Sequence, residues 1–316
     1  MGTPEFAVPS LRRLIADGHN VAAVFSQPDK PSGRGKAVHE PPVKRLALEH
    51  RIRCFQPAKI KTNEEVREVF QAIKPDACIV AAYGKILPPW LLEIPRLGCI
   101  NIHASLLPKY RGAAPINWAI VNGETTTGVT IMQMDPGMDT GPMWSQRSID
   151  IGPEETAPEL SPRLAALGAD LLADTLPVIA SGQHHPAAQN SDEATYAPML
   201  KKEDGLIDWD LPAKAIAARV RGFQPWPGSY TMFRGSRLII WDATVAQANT
   251  DSETAGSSVA RTPSTILAVH KAGFVVSCGE GTALRISEIQ IEGKKRVPAR
   301  DFLNGMRLFV GDPISQ

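Results

Sequence analysis

Cysteine is scarce in this chain. Four residues, Cys54, Cys78, Cys99 and Cys278, are scattered over 316 positions with no C-x-x-C among them. That excludes a disulfide framework and the ligand spacing of a zinc site, and it reads as reduced thiols in a reducing compartment. No metal site is expected. No uninterrupted run of about 18 apolar residues occurs, so no membrane span is expected. The opening MGTPEFAVPS has no basic segment followed by an apolar one, so it does not read as a secretory signal; the expected location is cytoplasmic. There is no internal repeat. There is also no G-x-x-x-x-G-K-[ST], which leaves an ATP-binding reading without support. Glycine and proline together make about 16% of the chain, below the ~25–30% of low-complexity sequences. Net charge is only +1.

What is present is an ordinary globular composition, 43% hydrophobic and 21% charged, in a length that suits two domains. From Leu11 to about His103, helix-like and strand-like segments alternate. LRRLIADG stops at Gly18, NVAAVFSQ is a short apolar strand, VKRLALEHR is a helix, and EEVREVFQAIKP is an amphipathic helix ended by Pro75. DACIVAAYG and LGCINIHAS read as buried strands. This rhythm implies a Rossmann-like α/β domain with a parallel sheet, whose ligands sit at the carboxyl ends of the strands. PINWAIVNGE reads as a short helix, and GVTIMQMD and MWSQRSIDI as strands joined by PGMDTGP. Ser161-Pro162 looks like an N-cap and first helical position, opening a helix that closes at Ser181-Gly182.

Residues 183–204 are polar and lack periodicity, and read as a linker. Beyond them LIDWD, the helix AKAIAARVRGF and five short strand-like runs predict a small OB-like β-barrel. The expected domains are therefore 1–182, a linker 183–204, and 205–316. Charge is uneven: residues 29–53 hold seven basic and three acidic residues, and Lys294, Lys295, Arg296 and Arg300 form the densest basic cluster of the second domain. Two basic regions suit a polyanionic partner without requiring one.

Asn101 and His103 stand at i and i+2 in an apolar strand, which puts them on one face with Ile100 and Ile102 on the other. Asp139 lies in a glycine-bracketed loop after another strand. An amide that polarises a carbonyl, an imidazole that carries a proton and a carboxylate that orients or charges it suit acyl transfer through a tetrahedral intermediate. The nearest hydroxyl, Ser105, has no adjacent general-base pattern, so the nucleophile would come from a substrate. Taken alone, a strand histidine is more often a satisfied structural residue, and Asp-Thr-Gly suits a turn. The residues by themselves leave both readings open.

The run N-I-H-A-S-L-L-P-K-Y-R-G-A-A-P-I-N, the later G-V-T-I-M-Q-M-D-P-G-M-D-T-G-P-M, the upstream G-T-P-E-F-A-V-P and Q-P-D-K-P-S-G-R-G-K, and G-F-Q-P-W-P-G in the second domain resemble the methionyl-tRNA formyltransferase family over essentially the whole chain. The resemblance implies transfer of the formyl group of 10-formyltetrahydrofolate to the amino group of methionine on initiator tRNA, by a bacterial-type cytoplasmic monomer. Its catalytic residues fall on Asn101, His103 and Asp139. Its folate contacts fall on Ser105, Leu106, Leu107 and Pro108, with Tyr83, Gly84 and Ile86 in the neighbouring loop. Its acceptor-end loop falls on residues 28–44, with Lys30, Arg34 and Lys36, and tRNA docking falls on Lys294, Lys295 and Arg296 of the OB-like domain.

Two departures stand out. The family places an apolar strand directly before G-T-P-E-F, whereas here Met1 precedes Gly2. The expectation is a sheet without its first strand, and a gain in stability when the chain is extended upstream. Pro158 and Pro162 fall in what the family makes a long helix, so a shortened helix is expected. Competing readings are a sugar-nucleotide formyltransferase, which needs a nucleotide surface in place of the basic loop; a formyltetrahydrofolate hydrolase, which opens the trio to water; glycinamide ribonucleotide transformylase, which lacks a large second domain; and a non-catalytic RNA-binding protein, against which the intact trio argues.

Overall fold

A computed structural model describes residues 1–32, 37–246, 262–270, 273–305 and 308–315. Its chain divides into two compact units. The first comprises Met1–Pro115, Thr126–Ile151 and Glu159–Pro198, and the second Ile116–Thr125, Gly152–Pro158 and Met199–Gln316.

In the first unit, helix α1 (Val8–Ala16) leads to strand β1 (Val24–Phe25). A hairpin of β2 (Lys30–Ser32) and β3 (Ala37–His39) follows, then α2 (Pro42–Glu49) and β4 (Cys54–Phe55), which pairs parallel with β1. Helix α3 (Glu64–Ile73) starts where the Asn63 side chain accepts from the Val66 N–H at 3.1 Å, with Glu64 and Glu65 in its first turn. Its buried Val66 and Phe70 lie four apart, on one face, and it ends at Lys74 in the left-handed region before Pro75. Strand β5 (Cys78–Val80), helix α4 (Pro89–Glu93) and strand β6 (Cys99–His103) come next. Phe25, Phe70, Val80, Tyr83, Leu91 and Cys99 share one apolar core. The cysteines are free; Cys78, Cys99 and Cys278 are buried, and burial pushes the Cys278 thiol up to about 12.

The site-bearing sheet is mixed rather than wholly parallel. Strand β5 runs parallel to β6. After β7 (Arg111–Gly112) and helix α5 (Pro115–Val121), β8 (Thr126–Gln133) and β9 (Met143–Asp150) complete the order β5-β6-β8-β9 with antiparallel pairing. A tight loop from Met134 to Pro142 joins β8 to β9, and such a short connection forces antiparallel neighbours.

Helix α6 (Ala157–Ser181) is not shortened at Ser161-Pro162: it starts five residues before Pro162. Pro162 lies just past the first turn, so its missing N–H removes one intrahelical bond, to the carbonyl of Pro158, and the apolar face outweighs that loss. Leu160, Leu164, Leu171 and Leu172 of that face are buried. Gly168 lets the helix approach the sheet, because a Cβ there would meet Ile102 at 2.8 Å and Val129 at 3.4 Å. By length and composition α6 is the one helix among the described residues apolar enough to cross a membrane, and its apolar side is used against the back of β6 and β8.

Between β1 and β5 the sheet is interrupted. Met1 and Gly2 fill one rung: the Gly2 N–H donates to the Phe25 carbonyl (2.9 Å), the Ala81 N–H to the Met1 carbonyl (2.9 Å), and the Met1 ammonium to the Ile79 carbonyl (2.6 Å). Beyond that rung lies a cavity of about 530 Å³ lined by Val21, Ala23, Phe25, Ala77, Cys78 and Ile79, among others.

Residues 183–198, expected as part of a linker, belong to the first unit and carry β10 (Tyr196–Ala197), which pairs parallel with β7. The second unit holds α7 (Ala213–Gly222) and a six-stranded antiparallel sheet of β11 (Ser229–Phe233), β12 (Ser236–Val245), β13 (Ile266–His270), β14 (Gly273–Ser277), β15 (Ala283–Ile291) and β16 (Val297–Pro298), followed by α8 (Ala299–Gly305). Its path is β11-β12-β15-β14-β13, with β16 on β15 and register shifts in the β12–β15 and β13–β14 pairings. Helix α5 packs within this unit: the Asn117 amide donates to the Gly222 carbonyl (2.7 Å), and Trp118 meets Phe223 edge-on.

Candidate active site

Strand β6 delivers the first two groups. Ile100 and Ile102 are buried on the face toward α6, and period-2 geometry turns Asn101 and His103 to the opposite face. The loop after β8 delivers the third. Asp139 sits in the left-handed region (φ 53°), a conformation that an aspartate tolerates better than most residues. The expected trio converges: Asn101 Nδ2 lies 3.4 Å from Asp139 Oδ1, and His103 Nδ1 lies 3.6 Å from Asp139 Oδ2.

Two backbone groups from the stretch after β6 complete the cradle. The Gly112 N–H donates to Asp139 Oδ2 (2.9 Å), and the Tyr110 carbonyl lies 2.9 Å from His103 Nε2. A carbonyl can only accept, so Nε2 carries the proton of that bond. The other ring nitrogen, Nδ1, is the one facing Asp139. His103 is buried, 5% exposed.

The loop Ser105–Pro108 is held from below. Thr130 Oγ1 donates to the Ser105 carbonyl (2.7 Å) and accepts from the Leu107 N–H (3.1 Å); Gln146 Nε2 reaches the Leu107 carbonyl (2.7 Å) and Thr130 Oγ1 (3.0 Å). Ser105 is buried, with its hydroxyl donating to the Lys109 carbonyl, and Leu107 is buried, while Leu106 and Pro108 are half-buried. In the neighbouring loop Tyr83 puts its ring into the core, and burial pushes its phenol up to about 12. Gln27 Nε2 donates to the carbonyls of Tyr83 and Gly84 (3.1 Å each), and Ile86 is 86% exposed, which is unusual for an isoleucine.

The basic residues divide. Lys30 opens β2, and Arg34 and Lys36 lie outside the described residues. Lys294 and Lys295 are exposed, whereas the Arg296 guanidinium pairs with Glu288 and lies 4.9 Å over the Trp241 ring. No group of three or more potential metal ligands occurs among the described residues.

Several residues at the site escape a reading of the sequence. Gly112 and Tyr110 lie inside the N-I-H…R-G stretch, but their roles are those of backbone groups, which no side-chain pattern announces. Gln189 lies in the segment read as a linker, 50 residues from Asp139 in sequence, and yet its side-chain amide reaches the Asp139 carbonyl at 2.8 Å.

Comparison with known proteins gives matches to two families, formyl transferase over residues 1–176 and formyl transferase, C-terminal domain, over residues 199–307. The chain is 51% identical over 311 residues to the methionyl-tRNA formyltransferase of Geobacter metallireducens, covering 98% of this chain and 96% of that one. It is 49% identical over 316 residues to that of Geobacter sulfurreducens, covering 100% and 96%. Among solved structures, WlaRD, a sugar 3N-formyl transferase crystallised with dTDP and 5-N-formyl-THF, superposes with a TM-score of 0.65 at 18% identity, over 93% of this chain and 97% of that one. HypX from Aquifex aeolicus, in complex with tetrahydrofolic acid, gives a TM-score of 0.56 at 17% identity, over 82% and 43%. At these identities the two structures share the fold.

Proposed function

Because this chain belongs to the methionyl-tRNA formyltransferase family and transfers a formyl group from formyl-tetrahydrofolate to methionyl-tRNA, we propose that Asn101, His103 and Asp139 carry out that transfer, with 10-formyltetrahydrofolate as donor and the initiator tRNA as acceptor. The observation that supports the assignment is the convergence of an amide, an imidazole and a carboxylate within 3.6 Å, at the end of one strand and the loop after the next.

The reaction forms a C–N bond between the methionyl amine and the formyl carbon, breaks the bond from that carbon to the folate nitrogen, and moves one proton from the amine to the leaving nitrogen. A free α-amine has a pKa of about 7.7–8.0, so near neutral pH a fraction is already nucleophilic. Attack makes an oxyanion. Asn101 Nδ2 has two N–H bonds; one points toward Asp139, and the other is the donor for that oxygen. The amine proton passes by way of His103 Nδ1, which Asp139 faces, while the Tyr110 carbonyl fixes the ring through Nε2. The flat ring system of the folate is assigned to the backbone edge at Tyr83–Gly84, with Ile86 as an apolar wall, and to Leu106 and Pro108; Ser105 and Leu107 shape the loop from within.

The basic loop with Lys30, Arg34 and Lys36 is assigned to the acceptor end of the tRNA. Lys294 and Lys295 are assigned to its backbone, with Arg296 already sharing its charge with Glu288. The protein acts as a monomer in the bacterial cytoplasm on this reading. The test is to incubate purified protein with 10-formyltetrahydrofolate and methionylated initiator or elongator tRNA. Formylation confined to the initiator is expected; folate turnover without RNA, or RNA binding without turnover, would overturn the reading. Arg34→Ala is expected to raise KM for the tRNA with little change in kcat, and unchanged tRNA kinetics would remove that loop from the assignment.

A further inference from the structure

The segment 183–198 straps the site, and one side chain in it is placed to do more than fill space. Gln189 uses its whole hydrogen-bonding capacity. Its Nε2 donates to the carbonyls of Asp139 (2.8 Å) and Gly141 (2.7 Å), and its Oε1 accepts from Arg111 Nε (3.0 Å) and Nη2 (2.8 Å). Arg111 is 3% exposed and has no carboxylate within ion-pair distance in the described structure, so a neutral amide is what meets its buried guanidinium.

Two of the groups that Gln189 grips lead to the trio. Asp139 is one of the three. Arg111 stands between Tyr110, whose carbonyl takes the His103 Nε2 proton, and Gly112, whose N–H holds Asp139 Oδ2. The same stretch is tied again by Thr195 and β10: the Arg111 N–H donates to the Thr195 carbonyl (2.9 Å), the Ala113 N–H to the Ala197 carbonyl (2.8 Å), and the Tyr110 N–H to Thr195 Oγ1 (2.9 Å). Tyr110 (φ 61°) and Asp139 (φ 53°) both hold left-handed backbone, which is strained and persists only where surroundings enforce it. A Cβ on Gly112 (φ 126°) would lie 2.6 Å from the Ala197 carbonyl oxygen, so the strap sits hard against the cradle.

We infer that Gln189 is a positioning residue for the formyl transfer, acting through Asp139 and through the Tyr110–Gly112 segment, whose Tyr110 carbonyl holds His103. This rests on the proposed role of Asp139 and His103. Three substitutions test it. Gln189→Met keeps the length and loses every hydrogen bond. Gln189→Glu keeps an acceptor for Arg111, and so the fold, but when ionised has no N–H for the two carbonyls. Asp139→Asn reports on the trio itself. Both Gln189 variants are expected to lose about 10- to 100-fold in kcat, the cost of misplacing a reacting group by about an ångström, with KM for folate and tRNA within about twofold. Gln189→Glu is expected to melt close to wild type. On an Asp139→Asn background, Gln189→Met is expected to cost under about twofold more, because the two changes damage one device.

If Gln189→Glu keeps wild-type kcat, or if the losses only track the folded fraction, the inference fails. Asp139→Asn inactive beside active Gln189 variants overturns this inference alone; Asp139→Asn fully active overturns the assignment of the trio and this inference with it.

Discussion

The two sides of strand β5 contrast. Toward β6 the ladder is continuous, and it ends in a cradle where Asp139, His103, Gln189 and Arg111 each meet named partners at 2.7–3.6 Å. Toward β1 the ladder is one rung of Met1 and Gly2 beside a cavity of about 530 Å³, with the Met1 amine buried against it. Both sides are lined largely by apolar residues of one core. The difference teaches that precision at the site is set by polar groups satisfied one by one, while the stability of the sheet is set by how completely its backbone edges are covered. The two properties can therefore be changed separately.

The largest separation is expected at the trio. His103→Ala and Asp139→Ala should each lower kcat by about 10²–10⁴-fold, as loss of a proton carrier or its partner does, while tRNA affinity stays within about twofold. Kinetics paired with a filter-binding titration checks this; parallel losses of binding would mean that the cradle serves the tRNA rather than the reaction. Gly168→Val is expected to blur the contrast, because its side chain would collide with Ile102 behind β6. It should cost about 1–3 kcal/mol of stability and reduce kcat as well, read by thermal melting and initial rates.

The gap side should respond in the opposite sense. Adding five or six alternating Val and Ile residues ahead of Met1 turns the buried amine into an amide, which can still donate to the Ile79 carbonyl, and offers a strand to both open edges. A gain of about 2 kcal/mol or more is expected from the apolar area covered, with kcat unchanged. An unchanged melting temperature would show that the gap costs nothing.

A smaller effect distinguishes the amine from the cavity. Burial lowers the Met1 amine from its value of 8.0 in the unfolded chain. Between that lowered value and 8.0 the unfolded chain binds more protons, so the amine makes stability rise with pH through this window, and the penalty is gone above it. Melting curves at pH 6 and pH 9 should show this rise in the parent chain and lose it after amino-terminal acetylation.

The legible part of the fold was the part that repeats along a segment. Val66 and Phe70 at helical spacing, and Asn101 and His103 alternating with isoleucines, announce their faces directly. The glycine-bracketed loop of Asp139 was legible as a loop, but its place among the site residues was decided only by the family resemblance. Pro162 misled, since its signal for a helix start is the same whether it stands at the first helical position or just past the first turn. Gln189 and the affiliation of α5 were not legible at all. Each depends on partners about 50 to 105 residues away in sequence, and no local pattern encodes such a meeting.

The most direct test of the account is the single-turnover rate of formyl transfer in Asp139→Asn, at saturating folate and methionyl-tRNA, beside the affinities for both. The account predicts a rate lower by about 100-fold or more with both affinities within about twofold. A rate within about threefold of wild type would contradict it.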